Sequence, residues 1–326
     1  MIDILNLKPT VISRDLKGKY VLLYGKAKSG KTTAAAQFPK ALLLAFEKGY
    51  NAIGGVMAQD ITKWSDFKLV LRQLEKPEAK EMFETIIIDT VSIAWDLCEQ
   101  YICAQNSVQK ISDVPWGGGY SAAKKEFEST LRKITQMGYG VVLIAHNATR
   151  IEKIADGSEI EIISPELPKR AAEICNGIVD IIGYIGTEYK DGVPYRYLYT
   201  RETPTLFAGS RFKYLASKIP FGYQELVDAI AEAIEQSEKM DGATVVDKIE
   251  AKPQEELDFN KLYEEAKSLW NTLVIEPQDE ETAKKILKKL EIAFGHPMKL
   301  SDVTEDQKDI LNLVVVDMRD MLREKN

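Results

Sequence analysis

The chain has little of what metal-binding and redox proteins need. Its 326 residues include three cysteines, Cys98, Cys103 and Cys175, and two histidines, His146 and His296. The cysteines have neither metal-ligand nor redox spacing, and three cannot all pair in disulfides. We therefore predict reduced, partly buried thiols, as in a cytoplasmic protein. Two histidines also exclude a histidine-rich metal site.

Long apolar runs are missing as well. No stretch approaches the length needed to span a bilayer. The first residues do not combine a basic region with an apolar run, so we predict no secretory signal. Hydrophobic residues make up 45% of the chain and charged residues 29%, which is typical of soluble globular proteins. We expect a cytoplasmic protein without a membrane partner.

An excess of positive charge is also absent. The net charge is -7, and residues 236–326 hold all of the excess, with 21 acidic and 14 basic side chains. Residues 1–235 hold 29 of each sign. Overall charge therefore does not indicate a nucleic-acid partner, although a neutral core can still carry a local basic groove.

Short apolar runs alternate with helical patterns in the first 235 residues. The strand-like runs are Tyr20–Tyr24, Ala41–Ala45, Thr85–Ile88, Gly140–Ala145, Ile178–Ile185 and Tyr195–Thr200. The helical patterns cover Lys31–Phe38, Lys63–Leu74, Ile93–Gln105 and Ser121–Met137. Unbroken apolar strands are typical of a parallel sheet that is buried on both faces. The pattern predicts an α/β core with a mostly parallel sheet flanked by helices.

The composition changes after residue 235. Residues 236–257 are polar and unpatterned, which favours a linker. Residues 258–326 show helical periodicity alone, and Thr304 with Gln307 forms a capping box at the start of the last pattern. We predict three parts: an α/β core over 1–235, a polar linker over 236–257, and an acidic three-helix domain over 258–326.

A complete phosphate-binding motif follows the first predicted strand. It reads Gly25-Lys26-Ala27-Lys28-Ser29-Gly30-Lys31-Thr32 and is followed by Thr33. Two glycines let the backbone curl so that its amides surround phosphate oxygens, and the helix that follows presents its positive end to the same anion. We predict that these nine residues bind ATP and that Lys31 neutralises the β- and γ-phosphates.

A magnesium site is predicted beside this loop. The Thr32 hydroxyl is expected to ligate Mg²⁺. Asp89 ends the apolar run Ile86–Ile88 and would hold the ion, usually through water, at the carboxyl end of its strand. An acid after a strand is commonplace by itself, so this prediction depends on the phosphate loop.

The order of these elements resembles that of RecA-like ATPases. Glu47 lies just past the second predicted strand, where these proteins have the glutamate that activates the attacking water. His146 ends the strand Val141–Ala145, where a polar residue senses the γ-phosphate and signals to a DNA-binding loop. The resemblance implies that Glu47, Lys31 and His146 are catalytic. The alternatives are an exposed loop acid for Glu47 and a structural hydrogen bond for His146.

A narrower resemblance is to phage-encoded RecA-like proteins of recombination modules, including a branch of single-strand annealing proteins. It is carried by Leu22–Gly25, Ile88–Thr90, Ile144–His146, Pro165–Arg170 and Ala208–Arg211, and it covers about residues 1–235. It implies ATP hydrolysis stimulated by single-stranded DNA in the cytoplasm of an infected bacterial host. It also implies a homo-oligomer that anneals DNA or forms a filament or ring.

Two connections are candidates for DNA contact. Trp116 and Tyr120 surround a glycine run and can stack on bases, or they can pack against the core around a hinge. Arg150 and Lys153 lie in the connection 148–164, where RecA-like proteins have their DNA loop. Because acidic side chains accompany them, a solvated loop is the favoured interpretation there.

RecA-like ATPases commonly receive a cation from the neighbouring subunit, which neutralises charge on the γ-phosphate. Arg211 and Lys213 resemble such a finger with changed order and spacing, and Arg201 competes with them. The acidic helices are expected to bind a single-strand-binding or recombination protein, or only to stabilise the chain. An alternative function is a nucleotide-dependent switch or loader that binds a protein through these helices without contacting DNA.

Overall fold

The structure is a computed structural model that describes residues 12–13, 18–153, 157–246, 257–274 and 280–325. It divides into two compact units, Met1–Ala251 and Lys252–Asn326. No helix among the described residues is long and apolar enough to cross a membrane.

The first unit contains thirteen strands within its described residues. They are β1 (Ile12–Ser13), β2 (Tyr20–Gly25), β3 (Ala41–Ala45), β4 (Met57–Asp60), β5 (Thr85–Asp89), β6 (Gly140–Ala145), β7 (Asn147–Lys153), β8 (Glu159–Pro165), β9 (Ile181–Lys190), β10 (Val193–Tyr199), β11 (Gly209–Ser210), β12 (Lys218–Pro220) and β13 (Val245–Val246). Its helices are α1 (Lys31–Ala35), α2 (Trp64–Leu74), α3 (Pro77–Met82), α4 (Val91–Gln105), α5 (Gly118–Gln136), α6 (Lys169–Ile178) and α7 (Tyr223–Asp241).

A mostly parallel sheet organises this unit. The strand order is β12-β10-β9-β2-β6-β5-β3-β4, with β11 paired to β9. Strands β9, β2, β6, β5, β3 and β4 pair with one another in parallel, whereas β10 is antiparallel to β9 and β12, and β11 is antiparallel to β9. Strands β5 and β6 are buried along their whole length, as their unbroken apolar sequences predict.

Helices cover both faces of the sheet. Leu22 and Tyr24 of β2 point into a core shared with α2, α4, α5 and α6. Val21 and Leu23 point the opposite way, into a core with α1 and α7. This alternation follows from the two-residue period of a strand. The predicted fold class, an α/β core with a mostly parallel sheet flanked by helices, is confirmed.

Several elements differ from their predicted bounds. Helix α1 ends at Ala35 rather than Phe38, because Pro39 restricts the residue before it and cannot continue the helix. Residues 148–164, for which a solvated loop was favoured, instead contribute to the antiparallel hairpin β7–β8, whose strands are joined through residues 154–158. The charged side chains there alternate with isoleucines, and this two-residue period fits a strand.

The predicted linker begins later than residue 236. Helix α7 continues to Asp241, and Val245–Val246 pairs in parallel with Ile12–Ser13. Residues 247–256 of the predicted linker lie outside the described residues. Cys98, Cys103 and Cys175 are free and buried, which confirms the prediction of unpaired thiols.

The second unit is helical, as predicted. It contains α8 (Phe259–Leu273), α9 (Glu280–Phe294) and α10 (Lys308–Lys325) around an apolar core of its own. Thr304 and Gln307 form the predicted capping box, with the Thr304 amide donating to Gln307 Oε1 over 3.1 Å. Arg319 joins α10 to α8 by donating to both carboxylate oxygens of Glu265 at 2.7 Å.

Candidate functional site

The predicted site residues meet at the carboxyl edge of the central sheet. The phosphate loop leaves β2, and Asp89 is the last residue of β5. Glu47 follows β3 by two residues, and His146 follows β6 directly. These four strands are adjacent and parallel, so their carboxyl ends lie side by side, where open α/β sheets bind ligands.

The phosphate loop requires glycine at two positions. Gly30 has a φ of +92°, which side chains rarely tolerate. At Gly25, a Cβ would lie 2.7 Å from the Ile185 carbonyl oxygen of the neighbouring strand. Lys26, Ala27 and Lys28 are exposed along the loop. The loop therefore has the tight curvature that the motif predicts.

The Lys31 ammonium lies inside the loop. It donates to the carbonyl oxygens of Gly25 and Lys26, both at 2.9 Å, and the residue is only 6% exposed. Burial lowers the pKa of Lys31, while the nearby Asp89 and Glu47 carboxylates act to raise it. Ser29 is also buried, and its hydroxyl has no hydrogen-bond partner among the described residues. A cation and a free hydroxyl in a curled loop fit a bound phosphate.

Thr32 and Asp89 are brought together as predicted for a magnesium site. The Thr32 hydroxyl donates to Asp89 Oδ2 over 2.7 Å. Burial raises the pKa of Asp89, whereas the Thr32 hydrogen bond lowers it. Hydroxyl and carboxylate oxygens are ligands that Mg²⁺ prefers, and the ion would complete its coordination with water and nucleotide oxygens. The two residues therefore fit the predicted ion.

Glu47 and His146 form a pair at the same edge. His146 Nε2 lies 3.3 Å from Glu47 Oε2, although the residues are 99 positions apart in the chain. The Glu47 and His146 side chains are 45% and 31% exposed, so a ligand can reach both. The Asp89 carbonyl oxygen accepts from the Phe46 and Glu47 amides at 2.7 and 3.0 Å. This contact holds Glu47 beside the predicted magnesium ligand.

Sequence reasoning missed Arg196 of β10. Its Nη1 lies 3.6 Å from the position that a Cβ on Gly30 would take, and Phe221 Cε1 lies 3.5 Å from that position. Arg196 is exposed, and its guanidinium has no hydrogen bond or ion pair with any residue that the structure describes. The signal is tertiary, because the sheet pairing β10–β9–β2 brings the arginine to the loop.

The candidate DNA residues occupy different surroundings. Trp116 is fully exposed, with a φ of +60°, so it does not pack against the core. Tyr120 is partly buried, and the Arg170 guanidinium lies 4.5 Å above its ring. Arg150 donates to the Leu167 carbonyl oxygen at 2.5 Å, and Lys153 lies 3.9 Å from Glu159 across the β7–β8 hairpin.

The three candidate finger residues all make contacts within the chain. Arg211 pairs with Asp180 at 3.0 Å and donates to the Gly177 carbonyl at 2.8 Å. Lys213 pairs with Asp241 at 2.8 Å. Arg201 donates to three backbone carbonyls, those of Ser210, Phe212 and Lys213.

Comparison with known proteins adds three findings. Residues 17–212 match the model of a family described as an AAA domain. The chain is 32% identical over 334 residues to the SPbeta prophage-derived uncharacterized protein YorG of Bacillus subtilis (strain 168), covering 99% of each chain. A crystal structure of a KaiC-like protein from the archaeon Pyrococcus horikoshii aligns with a TM-score of 0.35 and 16% identity, covering 63% of this chain and 85% of that one.

Proposed function

Because the chain belongs to the AAA-domain family of P-loop ATPases, we propose that it hydrolyses ATP through Glu47 and that single-stranded DNA controls this turnover. The observation that carries the proposal is the contact of 3.3 Å between Glu47 and His146 beside Lys31 and Asp89. It supports Glu47 as the base and His146 as the sensor, because both side chains lie at the edge of the sheet where the phosphate loop begins.

The proposed reaction follows from these positions. The Glu47 carboxylate takes a proton from water while the water oxygen attacks the γ-phosphorus. The bond from that phosphorus to the bridging oxygen breaks, and ADP and phosphate leave. Lys31 neutralises the negative charge that develops on the phosphate oxygens. When bound, Mg²⁺ supplies further charge neutralisation, with Thr32 and Asp89 as its protein ligands.

His146 is the proposed link to DNA. It lies between β6 and the β7–β8 hairpin. Its carbonyl oxygen accepts a hydrogen bond of 2.8 Å from the amide of Glu166, the residue that follows β8. A change of the imidazole on γ-phosphate loss can therefore act on the open end of the hairpin, where β7 begins and β8 ends. Arg150 and Lys153 on β7, and Trp116 and Tyr120 elsewhere, remain candidates for DNA contact.

A homo-oligomer is part of the proposal. Arg211 and Lys213 have side chains that are 58% and 66% exposed, so each can exchange its carboxylate partner for a neighbour's nucleotide. Arg201 is less suited, because its guanidinium already holds three carbonyls of its own chain. The proposed biological setting is phage recombination or replication, through annealing or through a filament or ring.

One observation favours the second candidate, a nucleotide-dependent switch that binds a protein. Leu287 and Ile292 of α9 and Leu313 of α10 are 41%, 72% and 62% exposed in the acidic second unit. Exposed apolar side chains of this kind suit a protein partner. This candidate predicts that DNA has no effect on ATP turnover.

The test is ATP hydrolysis measured with and without single-stranded DNA, together with DNA binding at low salt. We expect basal turnover that DNA stimulates, and we expect Lys31→Ala to abolish it. Lys80→Ala, an exposed lysine on α3, is the matched control and should behave like the natural protein. A chain that neither binds DNA at low salt nor responds to it rules out the DNA role. Full turnover by Lys31→Ala rules out the site itself.

A further inference from the structure

One face of the β9–β10–β12 edge of the sheet carries a row of tyrosines. Tyr195, Tyr197 and Tyr199 alternate along β10 and therefore share a face. Tyr184 of β9 lies opposite Tyr199 and continues the row, with ring centroids 5.9 Å apart. Tyr24 extends it into the core at 5.2 Å from Tyr184. Five aromatic rings thus run from the buried sheet to its outer edge.

Two lysines accompany the outer part of this row. Lys218 Nζ lies 4.1 Å from the Tyr197 ring centroid, and Lys190 Nζ lies 5.5 Å from the same ring. Both lysines are exposed. Lys218 is paired with Glu188, so that acid is neutralised and the charge of Lys190 remains in excess on this face. Cations over exposed rings match a ligand that has aromatic bases and phosphates.

The surface is open where the row reaches the edge. Tyr195 is 46% exposed, and Tyr197 is partly buried. Gly186 lies opposite Tyr197 and is buried, because a Cβ there would approach Tyr199 Cε2 at 2.9 Å and Tyr184 Cε1 at 3.0 Å. The Tyr184 and Tyr199 rings therefore cover the backbone at this point. The exposed outer ring of Tyr195 is the part of the row that a planar base can reach.

The opposite face of the same strands points toward the phosphate loop. Arg196 lies between Tyr195 and Tyr197 in sequence, so it projects to the other face, against Gly30 of the phosphate loop. The inner end of the tyrosine row contacts the β7–β8 hairpin, because the Tyr24 hydroxyl oxygen lies 3.3 Å from the Ile163 carbonyl oxygen, although the Phe207 carbonyl oxygen is its nearer acceptor. The row therefore adjoins both the phosphate loop and the hairpin that follows His146.

We propose that the tyrosine face, formed by Tyr195 and Tyr197 with Lys190, binds single-stranded DNA by stacking bases on the rings and pairing a phosphate with Lys190. This inference rests on the proposed DNA-controlled ATPase and names the surface where the DNA lies. Binding there reaches the phosphate loop through β10, because one strand carries the rings on one face and Arg196 on the other.

The test is the affinity of the full-length chain for a fluorescent oligo-dT strand, measured by anisotropy. Each of Tyr195→Ala and Tyr197→Ala should weaken binding roughly five- to one-hundred-fold, the effect of losing one base stack. Tyr195→Phe should bind like the natural chain, because the ring is kept. Tyr189→Ala is the matched control, since Tyr189 is 73% exposed on the opposite face of the same hairpin. Lys190→Gln should lower the salt slope of binding by roughly 0.7, as for one phosphate contact.

Four results overturn the inference. Natural affinity of Tyr195→Ala and Tyr197→Ala shows that DNA lies elsewhere, while the proposed DNA-controlled ATPase stands if the natural chain binds and is stimulated. An equal loss in Tyr189→Ala shows that the effect is not specific to this face. A loss of oligomeric assembly in Tyr195→Ala, measured by light scattering without DNA, shows that the face joins subunits instead. If the natural chain binds no oligo-dT at low salt, the inference and the DNA part of the proposed function fail together.

Discussion

At the scale of single residues, the nucleotide edge combines buried and exposed charges. Lys31 and Asp89 are buried, and each is stabilised by a neighbouring group, namely the loop carbonyls for Lys31 and the Thr32 hydroxyl for Asp89. Glu47 and His146 remain partly exposed and contact each other. Buried groups suit the proposed binding of phosphate and Mg²⁺, which has to persist throughout the reaction. Exposed ones can reach water and respond to the γ-phosphate.

Replacing Glu47 with glutamine should separate binding from turnover. We expect hydrolysis to fall roughly 100- to 10,000-fold, the contribution typical of a general base, because an amide cannot accept the water proton. ATP affinity should persist, since Lys31 and the loop amides are unchanged. Single-turnover hydrolysis and equilibrium ATP binding measure the two quantities. Glu78→Gln, an exposed acid on α3, is the control, and natural turnover by Glu47→Gln would contradict the assigned role.

At the scale of elements, strand β10 joins two surfaces. Its alternation sends Arg196 toward Gly30 on one face and three tyrosines to the other. Strand β10 is antiparallel to β9, and β9 pairs with β2, the strand that leads into the phosphate loop. An edge hairpin of this kind brings residues far from the motif in sequence to the phosphate loop.

Arg196→Ala should weaken ATP binding by about 1.5–3 kcal/mol, the range for a hydrogen bond to a charged group. The physical reason is the loss of a cation beside the anion-binding loop. Titration calorimetry with ATP in excess Mg²⁺ measures the change. Arg72→Ala, an exposed arginine on α2, provides the comparison. Equal ATP affinities of Arg196→Ala and the natural chain would show that the guanidinium does not contact the nucleotide.

At the scale of the whole molecule, the chain is built as two units with separate cores. Leu143 lies at the centre of the first core, and Leu290 is fully buried in the second. Separate cores commonly unfold in separate transitions. The excess acidic charge of residues 236–326 falls mainly on the unit that lacks the nucleotide site.

Calorimetry of the full-length chain should therefore show two transitions. Leu290→Ala should destabilise one of them by about 2–5 kcal/mol because it leaves a cavity in the helical core. ATP with Mg²⁺ should raise the midpoint temperature of only the other transition, since a ligand stabilises the unit that binds it. Leu143→Ala is the reciprocal variant and should destabilise the transition that ATP raises. A single transition that shifts in all three experiments would contradict two independent cores.

The predicted and observed features differ mainly where distant segments meet. Most of the parallel strands and the helices α2, α4 and α5 were predicted because their apolar periods are local, whereas strand β4 and helix α7 were not predicted. The β7–β8 hairpin was missed because its many charged side chains favoured a solvated loop, although isoleucines alternate with them. Helix α6 was missed because Pro165 and Pro168 break up the sequence just before it. In the site, Thr32 and Asp89 were expected at the same edge of the sheet, because one belongs to the phosphate loop and the other ends a parallel strand, and their side chains meet there.

The sequence by itself determined the phosphate loop, the fold class and the helical character of the second unit. These features depend on residue types at short, fixed spacings, such as the curl that Gly25 and Gly30 permit. Only the tertiary structure decided that Glu47 touches His146, that Arg196 lies against Gly30, and that the β10 tyrosines form one surface. These contacts depend on strand order and register, which arise from packing among segments far apart in the chain.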